Sequence, residues 1–272
     1  MSLVTTDWLL ENLNDVKIID SSWHLPNQNR NAFLEYSKEH IKNAIFFDID
    51  KFSDQDTELP HMLPKVTIWE NIVSNLGISN QDKIVVYDNS DLISSCRCWY
   101  TFIYFGHDPS LVSVLNGGLK KWKQEAKPVV KSETFIAKSI YKAKENKEMV
   151  KSKNEIDKNI SLKNFRVVDA RSLERFQGKA PEPRTNVRGG SIEGSSCLPF
   201  NELINKKDNT FKTVENLDLI FKKVVNIDDN DVVFTCGSGI TASVLALAYS
   251  LINTKYMPTI YDGSWSEYGL IK

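Results

Sequence analysis

Glycine and cysteine are both scarce in this chain, at 12 and 4 of 272 residues, and neither charge sign dominates. Lysine and arginine total 34 against 35 aspartates and glutamates. A surface that bound nucleic acid or an anionic membrane would need a basic excess, so both partner classes are excluded as expectations. No apolar run approaches the ~20 residues of a membrane span. Residues 1–11 hold no basic stretch followed by an apolar core, so no secretion signal is expected. Cys96 and Cys98 are too close for an ordinary disulfide, while Cys197 and Cys236 lie far apart in sequence. Free thiols in a reducing compartment, the cytoplasm, are the expectation. Cys96 and Cys98 fall in a predicted helix, where residues two apart point in different directions, and no second Cys or His pair follows at zinc spacing. With no phosphate-binding glycine loop either, neither a metal nor a cofactor is expected.

What is present is a pattern written twice. "KIID" ending at Asp20 matches "RVVDA" around Asp169, and "HIKNAIFFDI" from His40 matches "SIEGSSCLPF" from Ser191. "IVVYD" ending at Asp88 matches "VVFTC" ending at Cys236, and "VLNGGLKKW" matches "IYDGSWSEY". All four pairs are separated by roughly 150 positions and keep their order, which signals a duplicated domain. The length also suits two domains. In each copy β-rich runs alternate with helical patterns such as residues 67–77 and the almost wholly apolar 241–253. The fold class expected is α/β, with two tandem domains at 1–127 and 150–272. Each is a mainly parallel sheet flanked by helices on both faces. Residues 127–153 carry eight lysines against three acids without sustained periodicity, so 128–149 reads as a solvated linker.

Two of the few glycines stand around one cysteine. "TCGSGITAS" runs from Thr235 to Ser243, directly after Val232-Val233-Phe234. Ligands of parallel α/β sheets bind beyond the carboxyl ends of the strands. Gly237 and Gly239 leave room for backbone amides to converge near Cys236, and a helix starting near Thr241 adds its positive end. Such a nest favours a thiolate or the anion it becomes. The bland alternative is a small buried cysteine on a tight turn. The matching position of the other copy, Asp88, shows that the sheet itself does not demand cysteine there. A phosphatase-type C-x5-R loop needs arginine where Ala242 stands, so attack on sulfur, leaving a persulfide, suits the loop better than phosphoryl transfer.

At these residues the chain resembles the two-domain sulfurtransferases of the rhodanese superfamily, in particular their 3-mercaptopyruvate branch, whose loop reads C-G-S-G-[VI]-T-A. Thiosulfate-specific members typically carry basic residues where Gly237 and Ser238 stand. The likeness also covers "DSSWHLP" at Asp20, "HIKNAIFFDID" at His40, "HMLP" at His61, "VLNGGLKKW" at Val114, "RFQGKAPEPR" at Arg175 and "YDGSW" at Tyr261. The resemblance implies two rhodanese-like domains, only the C-terminal one carrying the nucleophile. It implies sulfur taken from 3-mercaptopyruvate by Cys236 and passed to cyanide or a thiol, a small one or a thioredoxin-like protein, with pyruvate released.

Arg175 and Arg184 would hold the substrate carboxylate, to which a planar guanidinium is suited. Asp50, His61 and Ser238 would form a proton relay. Gly237, Gly239, Ile240 and Thr241 would complete the cradle. The alternatives are a thiosulfate sulfurtransferase on the same scaffold and a non-catalytic sulfur carrier or interaction module. His24, His40 and His107 are expected to be structural, as are Asp20 and Asp169, holding nearby backbone amides. Arg171 is expected to support the site rather than touch substrate, and Arg97 is given no substrate contact. Tyr261 and Trp265 either wall the site or, as is commoner for aromatics at such positions, belong to the core. Two departures from the family pattern are Ser191-Ile192-Glu193-Gly194, where a His-Ile-Pro-Gly turn is usual, and Cys197, where asparagine is common. Cys197 is read as a packed residue, with a persulfide-resolving thiol as the other option.

Overall fold

In the computed structural model, which describes residues 2–226 and 231–271, the chain divides into two units. The first is the described part of Met1–Gln55, with Leu63–Asn146 and Lys206–Thr210. The second is Asp56–Met62, Lys147–Asn205 and the described part of Phe211–Lys272.

The first unit contains strands β1 (Leu3–Val4), β2 (Lys17–Asp20), β3 (His40–Ile41), β4 (Ala44–Phe46), β5 (Ile84–Tyr87), β6 (Val112–Leu115) and β7 (Val129–Val130). Its main sheet runs β1-β6-β5-β2-β4, every neighbour parallel, while β3 and β7 form a small antiparallel pair. The second unit contains β8 (Val150–Lys151), β9 (Arg166–Asp169), β10 (Ser196–Cys197), β11 (Val232–Thr235) and β12 (Ile260–Tyr261). Its order, β10-β9-β11-β12-β8, is the same wiring seen from the other edge, again all parallel.

The duplication therefore extends to register. Asp20 pairs with Tyr87 in one sheet and Asp169 with Thr235 in the other, so Asp88 and Cys236 are equivalent positions. Leu119 N donates to the Asp88 carbonyl and Trp265 N to the Cys236 carbonyl, both at 2.9 Å.

The central strands β5 and β11 are buried along their whole length, which is why they read as unbroken apolar runs. Each feeds a helix covered on all sides, Ser95–Tyr104 and Ile240–Ile252, the latter buried from Ile240 through Tyr249. Trp69 anchors the first core between Phe102 in edge contact and Phe105 in stacked contact. Phe221, Phe234, Tyr249 and Tyr256 form the aromatic centre of the second.

The segment expected as a solvated linker is fastened to the first unit. Thr134 Oγ1 donates to the Ala44 carbonyl, Ser139 N to that of Ser74 and Lys144 N to that of Phe105. Tyr141 is buried there, stacked on His107. Lysines dominate this stretch because its outer side is wet, while its backbone and Tyr141 bind inward.

Candidate active site

β11 ends at Thr235 and the chain turns through Cys236–Gly239 before Ile240 opens the buried helix. Gly239 is the N-cap at φ +82°, a left-handed conformation in which a side chain is strained. At Gly237 a Cβ would lie 3.2 Å from Nη2 of Arg175, a tight approach to the end of that side chain.

The carbonyls of this turn are pulled aside. Those of Cys236 and Gly237 accept from the amides of Trp265 and Ser266 at 2.9 Å, and that of Gly239 accepts from Ser243 Oγ. Cys236 N itself donates to Ser264 Oγ at 3.4 Å. The amides of Gly237 to Thr241 donate to no carbonyl or side chain among the described residues. Free amides at a helix start, around a thiol, make an anion-receptive nest. Cys236 is 2% exposed and Ser238 7%, so little water competes for those donors.

Unit one supplies an internal comparison. At the position of Cys236, the Asp88 carboxyl accepts from Ser90 N at 2.8 Å and from Ser95 N, at the start of its helix, at 2.9 Å. The same strand-to-helix turn is thus filled by its own carboxyl oxygens. With cysteine in that place, the corresponding donors stay open.

Beside the thiol, Ser238 Oγ lies 2.8 Å from His61 Nδ1. His61 reaches it because residues Asp56–Met62 belong to the second unit, although they precede most of the first in sequence. His61 is buried and stands at φ +62°, a conformation that costs a non-glycine residue roughly 1–2 kcal/mol. A strained, buried histidine held against a serine next to a cysteine can pass a proton to or from a reacting group. Asp50 lies in the first unit, on the short helix Ile49–Phe52, where Oδ2 accepts from Trp23 Nε1 at 2.9 Å.

Arg175 comes from the short helix Leu173–Phe176, capped by Ser172. Its Nε and Nη2 both donate to Glu182 Oε2. The other oxygen of Glu182 accepts from Arg171 Nη1 at 2.7 Å. Arg171 is fully buried, held through Nε and Nη2 by Asp169 and through Nη2 by the Gly190 carbonyl, and lies 4.4 Å from the Trp265 ring centre. Burial opposes its charge, yet the bonds to Asp169 and the charges of Asp169 and Glu182 raise its pKa above the usual arginine value. Arg184 is half-buried further along the same loop, its carbonyl accepting from Val187 N.

The structure therefore brings Cys236, Gly237, Ser238, Gly239, Ile240, Thr241, His61 and Arg175 together in one unit, with Arg184 on the neighbouring loop. Asp20 and Asp169 hold backbone amides two residues on, at Ser22 and Arg171. His24, His40 and His107 bond to Glu35, to the Tyr36 and Ser132 carbonyls and to the Asp82 carbonyl, respectively. Tyr261 and Trp265 are core. Cys197 donates to the Arg171 carbonyl, and burial, with the Asp169 charge, pushes its thiol up to about 12. Such a shift disfavours the thiolate at neutral pH. Burial likewise holds Cys96 and Cys98 protonated.

Two residues escaped the sequence reading. Glu182 is an acid in a Pro-rich basic stretch and looks solvated. Ser264 is equivalent to Gly118, and both have positive φ, +50° and +53°. A serine where its twin is glycine is a detectable signal, and its hydroxyl is what receives the Cys236 amide.

Comparison with known proteins agrees with this arrangement. The model of the rhodanese-like domain matches residues 5–125 and again 152–270. The chain belongs to the rhodanese family. This is a family of sulfurtransferases. The 3-mercaptopyruvate sulfurtransferase of Mus musculus is 36% identical over 98% of this chain and 91% of its own length. The thiosulfate sulfurtransferase of the same organism is 37% identical with the same coverage. Among solved rhodanese structures, SseA from Escherichia coli, a 3-mercaptopyruvate sulfotransferase, superposes with a TM-score of 0.86 at 32% identity, covering 98% of this chain and all of the other.

Proposed function

We propose that the chain transfers the sulfur of 3-mercaptopyruvate to a thiol or cyanide acceptor through a persulfide on Cys236, releasing pyruvate. The Cys236 thiolate attacks the substrate sulfur and the carbon–sulfur bond breaks. Its electron pair stays on carbon as the enolate of pyruvate, and Cys236 becomes a persulfide. The open amides of Gly237 to Thr241 support the resulting anion, and Arg175 with Arg184 receives the substrate carboxylate. His61 and Ser238 deliver the proton the enolate takes up. An acceptor thiolate then attacks the outer sulfur and returns Cys236 to its starting form.

The observation that carries this reading is the 2.8 Å contact between Ser238 and His61 beside a thiol in an amide nest. Thiosulfate needs no proton on its leaving sulfite, so a buried relay serves mercaptopyruvate specifically. The near-equal identities to the two mouse enzymes keep thiosulfate as the second donor. The four free cysteines support a reducing compartment, the cytoplasm, and a small thiol or thioredoxin-like protein as acceptor.

Purified protein given 3-mercaptopyruvate is expected to release pyruvate and to carry one extra sulfur on Cys236 by mass spectrometry. Cys236→Ser should lose both, and kcat/KM should be higher for mercaptopyruvate than for thiosulfate. Pyruvate release surviving in Cys236→Ser overturns the mechanism, and the reverse donor preference moves the reading to thiosulfate.

A further inference from the structure

We propose that Glu182 is the positioning residue that fixes the orientation of Arg175, and so sets where a substrate carboxylate lies relative to Cys236. This rests on the reading of Arg175 as a carboxylate receptor. Glu182 uses one oxygen for two nitrogens of Arg175 and the other for Arg171. Its side chain is 3% exposed against 24% for that of Arg175, so the buried partner holds the half-open one.

Behind Glu182, Arg171 is locked by Asp169 at the end of β9, the Gly190 carbonyl and the Trp265 ring. The bonds form a chain from the strand end through Arg171 and Glu182 to Arg175, which lies against the active-site turn. Because Nε and Nη2 of Arg175 are engaged on one edge, Nη1 is the nitrogen left to meet a ligand. The same Nη2 lies 3.2 Å from where a Cβ of Gly237 would stand, which sets Arg175 against the active-site turn. An arginine side chain has many rotamers, and the two bonds to Glu182 favour this one.

Charge and geometry predict opposite signs for the neutral variant, which makes the inference testable. Asp169, Arg171, Glu182 and Arg175 carry two negative and two positive charges. Glu182→Gln adds net positive charge near an anionic donor, so if Glu182 acts only through its field, every anion should bind better. If it positions Arg175, a donor gripped by its carboxylate should suffer and a donor without one should not.

The test compares kcat/KM of the wild-type protein and Glu182→Gln for 3-mercaptopyruvate and for thiosulfate, with calorimetric binding of pyruvate alongside. The expected result is a fall of at least about tenfold for mercaptopyruvate, since small misplacements of a reacting group are costly, with thiosulfate unchanged or improved. Pyruvate binding should weaken in parallel. An equal fall for both donors, or improved use of mercaptopyruvate, overturns the inference.

Glu182→Asp keeps the charge and withdraws the carboxyl by one methylene, so a role through the field alone predicts no change in either donor. A positioning role predicts the same fall for mercaptopyruvate with thiosulfate spared, and this variant decides the matter if Glu182→Gln does not fold. Should the wild-type protein fail to turn over mercaptopyruvate, the proposed function falls. Pyruvate binding then judges Glu182 alone: weakening by about tenfold in the variant supports the role, while unchanged binding, or none in the wild type, overturns it.

Discussion

Replacing His61 with glycine and, separately, with alanine should separate strain from chemistry. Both variants lose the imidazole and its contact with Ser238 Oγ. Loss of a buried hydrogen bond costs on the order of 1 kcal/mol, plus some burial, and these terms are common to the pair. They differ in the backbone. At φ +62° alanine keeps the left-handed penalty of roughly 1–2 kcal/mol, whereas glycine is free of it. Against this, glycine loses about 0.4–1 kcal/mol through the greater freedom of its unfolded chain. The glycine variant should therefore be the more stable by about 0.5–1 kcal/mol, against the usual ranking of the two residues. In a thermal melt that is a midpoint higher by about 1–4 °C. Pyruvate release from mercaptopyruvate should fall by about 10²–10⁴-fold in both, the usual contribution of a positioned acid–base group. An alanine variant as stable as the glycine one would refute the strain. Activity within tenfold of wild type in either would refute the relay.

The remaining expectations concern two buried groups. Cys197, with its thiol pushed up to about 12, should resist iodoacetamide at pH 8, and Cys197→Ser should leave the rate of sulfur transfer unchanged; alkylation at the rate of a free thiol would refute this. Asp20 is pushed up to about 6, chiefly by burial, against the bonds from Ser22. The folded protein then holds a proton across pH 4–6 that the unfolded chain has released. That group's contribution to stability falls as pH rises through this window and is constant above it. Asp20→Asn should remove a slope worth on the order of 3 kcal/mol, read from urea unfolding at pH 4 and pH 7. The same wild-type-minus-variant difference at both pH values would refute it.

The parallel character of both sheets, though not their strand order, was legible because buried parallel strands leave continuous apolar runs and a helix sealed on all sides leaves none of the usual periodicity. β5, β11 and Ile240–Ile252 are such segments. The turn at Cys236 was legible because glycine is rare and two stand together there. The exchange of short segments was hidden. Asp56–Met62 and Lys206–Thr210 are polar and aperiodic, so nothing in them shows which unit they join. His61 could be linked to Ser238 through family resemblance alone, since no spacing rule spans 177 residues. Glu182 was hidden for an energetic reason. A buried acid is tolerable only with cations on both sides, and sequence shows the neighbouring arginines without showing that all three turn inward.

The duplicated turns also explain why one copy can be chemically silent without being damaged. A strand-to-helix turn presents amides that must find an acceptor or be left to water. In the first unit Asp88 is that acceptor, and two of its bonds, to Ser90 N and Ser95 N, close the turn over seven residues before the helix. Burial raises the Asp88 pKa, so closing the turn in this way strains the ionised carboxyl. In the second unit the turn is only Cys236 to Gly239, and Ser264 Oγ takes the Cys236 amide while no side chain among the described residues takes those of Gly237 to Gly239. Its open amides are a cost to the resting fold that falls when the nest holds negative charge. A persulfide anion on Cys236, the proposed intermediate, would supply that charge. A turn whose amides are satisfied by a carboxyl in one half thus leaves, in the other, donors suited to the anion that the proposed transfer forms.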